Sequence, residues 1–84
     1  MTDKPNILIY GAEWCGFCHM AMHYLDDKKI AYKYIDIDKD PKYAVEVVEK
    51  SGQRGIPVID LNGDIIIGFD RPKIDASLKS HQLV

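Results

Sequence analysis

Cys15 and Cys18 are the only cysteines in the chain, and they stand two residues apart in Trp14-Cys15-Gly16-Phe17-Cys18. That spacing permits three chemistries. A dithiol can close to a disulfide and open again. Two thiolates can supply half of a zinc site. With His19 next in line, the same residues also match the C-x-x-C-H pattern of haem attachment. Zinc needs two further ligands, and His19, His23 and His81 do not make a second pair at structural-site spacing. Haem attachment needs export and a helical domain to wrap the ring. A haem- or zinc-binding module is thus the rival class, and redox chemistry is the leading one. The flanking residues favour redox. An apolar, partly β-branched run ends at Tyr10 and a helical pattern begins near Cys18, so Cys15 falls where a strand hands over to a helix. Free N–H groups and the positive end of the helix dipole favour a thiolate there. Cys18, one turn on, can reach back to it.

The elements that must hold this pair are legible from periodicity. Asn6–Tyr10 reads as a strand covered on both faces. Cys18, Ala21, Met22 and Leu25 recur at helical spacing, and the pattern fades in Asp26-Asp27-Lys28-Lys29. Residues 31–37 alternate, with Tyr32, Tyr34 and Asp36 on one side and Lys33, Ile35 and Ile37 on the other. Strand, helix and strand within about thirty residues make a right-handed βαβ unit with parallel strands. Asp40-Pro41 is a helix start, and Ser51-Gly52 is its stop. Asn62-Gly63 between residues 57–61 and 65–68 is a hairpin signal. Asp70 caps a last helix over 71–80, with Ile74 and Leu78 as its buried stripe. The order is β-α-β-α-β-β-α: an α/β fold with a four-stranded mixed sheet and helices on both faces.

Length and composition limit what else the chain can be. Its 84 residues suit one small domain, 1–84, with one sheet and no second core. With 46% apolar residues, 29% charged residues and a net charge of −2, it has no basic patch for nucleic acid. Residues 1–5 contain no apolar segment to export or anchor it, so no membrane is expected. Two cysteines this close make no useful structural staple, which fits a reducing, cytoplasmic setting. A monomer is expected.

Order and motif together resemble the thioredoxin superfamily, and the length resembles its glutaredoxin branch. Ala12-Glu13-Trp14-Cys15-Gly16 is similar to a thioredoxin active-site motif. Gly55-Ile56-Pro57-Val58 resembles the family's loop before the third strand, whose proline is cis and faces the disulfide. Gly68-Phe69-Asp70-Arg71-Pro72 is similar to the tail of small redoxins, including those that feed ribonucleotide reductase. The resemblance implies a thiol–disulfide oxidoreductase with no bound cofactor, acting on protein disulfides or glutathione mixed disulfides. Cys15 attacks, Cys18 resolves, and Trp14, Gly16 and Phe17 form the rim. Its partners would be disulfide-bearing proteins, with glutathione or a thioredoxin reductase as the electron source.

Two positions depart from the pattern. Ile9 stands where thioredoxins carry a buried acid, so protons must move through water or another group. Ala12 stands where glutaredoxins commonly hold a glutathione carboxylate with a cation, and Glu13 beside it has the wrong sign. The resemblance assigns the rest of a glutathione groove to Arg54 for the glycine carboxylate, the Ile56 backbone for the cysteinyl unit, Pro57 beside the sulfur, and Asp70 for the γ-glutamyl amine. Arg54 as a loop cation and Asp70 as a helix cap are the structural alternatives.

Overall fold

The structure, a computed structural model, describes residues 6–83. The expectation for residues 1–5 lies outside that range. The chain runs β1 (Ile7–Gly11), α1 (Gly16–Asp27), β2 (Lys33–Asp36), α2 (Pro41–Ser51), β3 (Val58–Leu61), β4 (Asp64–Ile67) and α3 (Arg71–Ser80). The strands form one sheet in the order β2-β1-β3-β4. β1 and β2 are parallel, with Ile9 opposite Tyr34 and Gly11 opposite Asp36. β3 runs antiparallel to β1 and to β4. This is the thioredoxin-like fold that the element order implied.

Alternation along β1 sorts the core into two halves. Ile7 and Ile9 face α1 and α3, where they join Ala21, Leu25, Ile59, Leu61, Ile66, Ile74 and Leu78. Tyr10 faces α2 and packs with Val47 and Val58. Leu8 on the same side is only partly buried. A period of two in the strands therefore meets a period of 3.6 in the helices on both faces.

Element ends have local causes. Asp40 caps α2 by accepting from the Lys42 N–H at 3.0 Å, Pro41 opens the first turn, and Gly52 ends the helix with φ at 75°. The β3–β4 turn puts Asn62 at φ 53° and Gly63 at φ 99°, as a type I′ hairpin requires. β2 is shorter than its alternation predicted. Its ladder ends where β1 ends, with the Ile37 N–H on the Gly11 carbonyl at 2.9 Å. Asp36 then turns the chain by accepting from the Asp38 N–H at 2.9 Å.

Of Ala44, Val45, Val47 and Val48 in α2, only Val47 is buried, and the other three are exposed. One helix cannot bury a full stripe against so small a sheet face. No helix among the described residues is long and apolar enough to cross a membrane.

Candidate active site at the β1–α1 junction

Cys15 is the N-cap of α1, in extended conformation, and its Sγ accepts from the Cys18 N–H at 3.2 Å. The two cysteines are joined by a disulfide, with Cα atoms 5.3 Å apart. Their surroundings differ. Cys18 is fully enclosed at 0% exposure, whereas Cys15 keeps an edge open at 8%. Ala12, Ile37 and Ile56 pack around the pair. Gly11 lets α1 come this close. A Cβ there would stand 2.8 Å from both Cβ and Sγ of Cys18 and 2.9 Å from the Tyr34 hydroxyl oxygen. No real Cβ tolerates that, so residue 11 must be glycine.

The rim lies open. Trp14 is 71% exposed and Phe17 63%. The Trp14 indole N–H donates to Asp38 at 2.9 Å, which holds the ring outside the core rather than in it. His19 is tied down through its ring Nε2, 2.8 Å from the Glu13 carbonyl, and so braces the loop ahead of Cys15. Among the described residues, no three His, Cys, Asp or Glu side chains converge as a metal site.

The Ile56–Pro57 bond is cis. Ile56 and Pro57 line a groove of about 810 Å³ together with Phe17, Met20, Phe69 and Asp70. That volume is within the range of small-molecule sites. Arg54 does not join them. It lines a second hollow of about 510 Å³ with Ile37, Val45 and Val48 of the α2 side. Asp70 caps α3, accepting from the Lys73 N–H at 3.3 Å. Asp70 also borders the groove, so one residue serves both as cap and as groove wall. Arg71, Met20 and Ile67 line the groove as well. Of these, sequence reasoning touched only Arg71, inside the Gly68–Pro72 stretch. Met20 and Ile67 carry no motif.

Burial, and then the charges of Asp36, Glu13 and Asp38, push the Tyr34 hydroxyl above its ordinary value. Tyr34 is thus a neutral phenol throughout the physiological range, able to donate a proton bond but not to act as a base.

A thioredoxin-like sheet with a Cys-x-x-Cys pair at the N-terminus of its first helix defines a small dithiol redoxin. Comparison with known proteins narrows the class. The glutaredoxin family model matches residues 7–66, and the chain belongs to the glutaredoxin family. It is a dithiol–disulfide oxidoreductase of the glutaredoxin-like kind, with Cys15 and Cys18 as its cysteine pair. A Clostridium pasteurianum protein described as an uncharacterized glutaredoxin-like 8.6 kDa protein in the rubredoxin operon is 36% identical over 69 residues, covering 82% of this chain and 92% of that one. The glutaredoxin-like protein NrdH of Lactococcus lactis is 33% identical over 72 residues, covering 86% and 97%. The crystal structure of a glutaredoxin from Archaeoglobus fulgidus superposes with a TM-score of 0.82 at 22% identity, over 89% of this chain and 87% of that one, a likeness of fold.

Proposed function

We propose that the chain reduces protein disulfides and glutathione mixed disulfides in two steps, with Cys15 attacking and Cys18 resolving. The observation that carries this reading is the asymmetry of the pair, Cys15 with an open edge at a helix N-terminus and Cys18 sealed behind it. A Cys15 thiolate keeps the Cys18 N–H as a donor. It attacks one substrate sulfur, the bond between the substrate sulfurs breaks, and the departing half takes its proton from solvent. Cys18, as thiolate, then attacks the Cys15 sulfur. The second half of the substrate leaves, and the pair is left oxidised.

Trp14 and Phe17, with Gly16 turning the chain between the cysteines, offer an apolar landing surface, and the Ile56–Pro57 segment forms the adjacent wall. A reducing cytoplasm suits a pair that must be returned to dithiols. For glutathione, we assign the amine to Asp70, the cysteinyl unit to the Ile56 backbone and a carboxylate to Arg54. A second reading has its own support. Ala12 is fully buried and supplies no cation beside Cys15, and Arg54 borders a different hollow from Asp70. Glutathione is then held weakly, and a thioredoxin reductase becomes the stronger electron source, as in redoxins that feed ribonucleotide reductase.

Trapping tests the roles. Cys18→Ser accumulates a mixed disulfide with a disulfide-bearing protein, and Cys15→Ser stays unmodified. The reverse pattern overturns the assignment. NADPH-coupled turnover tests the electron source. Arg54→Ala weakens glutathione-driven turnover by about tenfold, the loss of one charge-assisted bond, and leaves turnover driven by thioredoxin reductase unchanged. Glutathione turnover indifferent to Arg54 overturns the assignment of a glutathione carboxylate to that residue.

A further inference from the structure

We infer that Tyr34 sustains the second half of the reaction, its buried hydroxyl donating to the Cys18 sulfur while that sulfur is an unbonded thiolate. The inference rests on the two-step reading above. Three observations carry it.

The first is an orphan. Among the described residues, the Tyr34 hydroxyl is the one buried side-chain oxygen or nitrogen without a hydrogen-bond partner. Buried polar groups are rarely left so, because desolvation goes uncompensated. The second is place. Ile9 and Gly11 lie on one face of β1, and Tyr34 pairs with Ile9 across the parallel ladder, so its long side chain reaches along that face over Gly11. The Tyr34 oxygen and the Cys18 Sγ stand 2.9 Å and 2.8 Å from the point a Gly11 Cβ would occupy. The hydroxyl and the sulfur therefore share one small space that glycine keeps empty. The third is the lack of rivals. Ala12, Ile37 and Ile56, packed around the pair, have apolar side chains that offer nothing to a charge on Cys18.

The oxidation state explains why the hydroxyl is unpaired here. A disulfide sulfur is a weak acceptor, and a thiolate is a strong, charge-assisted one. Opening the disulfide supplies the partner. In the resolving step Cys18 gives its proton to solvent and its thiolate attacks Cys15. The bond from Cys15 to the substrate sulfur breaks, and its electron pair leaves with the substrate, which solvent protonates. The cysteine pair is oxidised and the substrate reduced. Tyr34 neither gains nor loses a proton. Its neutral state is secured by its burial and by the facing carboxylates Asp36 on β2, Asp38 beyond it and Glu13 before α1.

Stopped-flow reaction of the reduced protein with dithiobis-nitrobenzoate tests this. The reagent yields a coloured thiolate when Cys15 attacks and a second when Cys18 resolves. In Tyr34→Phe, the pH midpoint of the second phase rises by about one unit. At neutral pH that phase slows by about threefold, because the more basic thiolate is also the better nucleophile and recovers part of the tenfold loss. The first phase is unchanged. Asp36, Asp38, Glu13 and His19 remain in both proteins, so the difference belongs to the hydroxyl. Urea unfolding of the oxidised protein is the control, and Tyr34→Phe unfolds there no more easily than the native chain, since the lost group had no partner. An unshifted second phase beside a normal first one overturns the Tyr34 inference alone. Equal slowing of both phases with lost stability marks a structural residue and also overturns it. A single phase, with one coloured thiolate per protein, overturns the two-step reading and this inference together.

Discussion

The two faces of the sheet are held by different means. Against α1 and α3, Ile7, Ile9, Leu25, Ile59, Leu61, Ile74 and Leu78 are all essentially without solvent contact. The polar contacts on that side sit at its rim, where Asp64 accepts from the Ser77 hydroxyl at 2.6 Å and meets His81 at 3.1 Å. Against α2 the buried cluster is Tyr10, Val47 and Val58. Charges do part of the work there, with Lys50 paired to Asp60 at 2.7 Å and the Tyr10 hydroxyl donating to Glu46 at 3.3 Å. Val45, Val48, Ile65 and Ile67 on or facing α2 remain open to solvent. The helix that carries Cys18 is thus anchored by apolar area, and the helix beside the Arg54 hollow is anchored by a smaller core, one ion pair and one hydrogen bond. The apolar anchor falls on the helix that holds Cys18, the cysteine we propose resolves.

Mutations can break that contrast. Leu25→Ala, in the α1 face, costs about 2–5 kcal/mol in urea unfolding, the transfer loss plus a cavity. Val47→Ala should cost less. Equal losses would mean that the two faces are equally packed.

Lys50→Met leaves Asp60 without its ammonium and costs about 1 kcal/mol at neutral pH, since the pair is partly solvated. Burial works to lower the Lys50 value, but the hydrogen bonds it donates to Asp60 and Tyr10 outweigh it and the net shift is upward. A raised lysine contributes fully below its unfolded value of about 10.4, and that contribution disappears as pH climbs through the higher folded value. The native chain's advantage over Lys50→Met should therefore vanish in strong alkali. An advantage that persists there would assign it to the packing of the lysine stem.

Asp64→Asn sharpens the contrast from the other face. Hydrogen bonds from Ser77 and then His81 hold the Asp64 carboxyl below its ordinary value. That stabilises the fold above the unfolded value of about 3.9 and is lost as pH falls through the lower folded value. The Asn variant should lose that contribution at neutral pH and converge with the native chain in acid, giving a flatter acid limb in a pH–stability profile. The smallest effect falls on Val45→Ser, within about 0.5 kcal/mol, because Val45 already faces water. A larger loss would mean that α2 is covered in solution.

Sequence alone was sufficient for whatever depends on neighbours along the chain. The Cys15–Cys18 spacing, the Asp40-Pro41 start, the Gly52 stop, the Asn62-Gly63 turn and the span of α3 are set by local backbone preferences and by side-chain period, and each is written in a few consecutive residues. The element order then implied the fold. Other features arise only when strands are laid side by side. The sheet order β2-β1-β3-β4 sets Tyr34 against Ile9 and so brings its hydroxyl over Gly11 to Cys18, joining β2 to the β1–α1 junction. Tertiary packing likewise separates Arg54 from Asp70 and gathers Met20 and Ile67 into the groove. It also leaves most of the α2 stripe uncovered. Periodicity states which side chains share a face, but how much of that face is buried, and what stands across from it, depends on the area and register of a partner that no local pattern encodes.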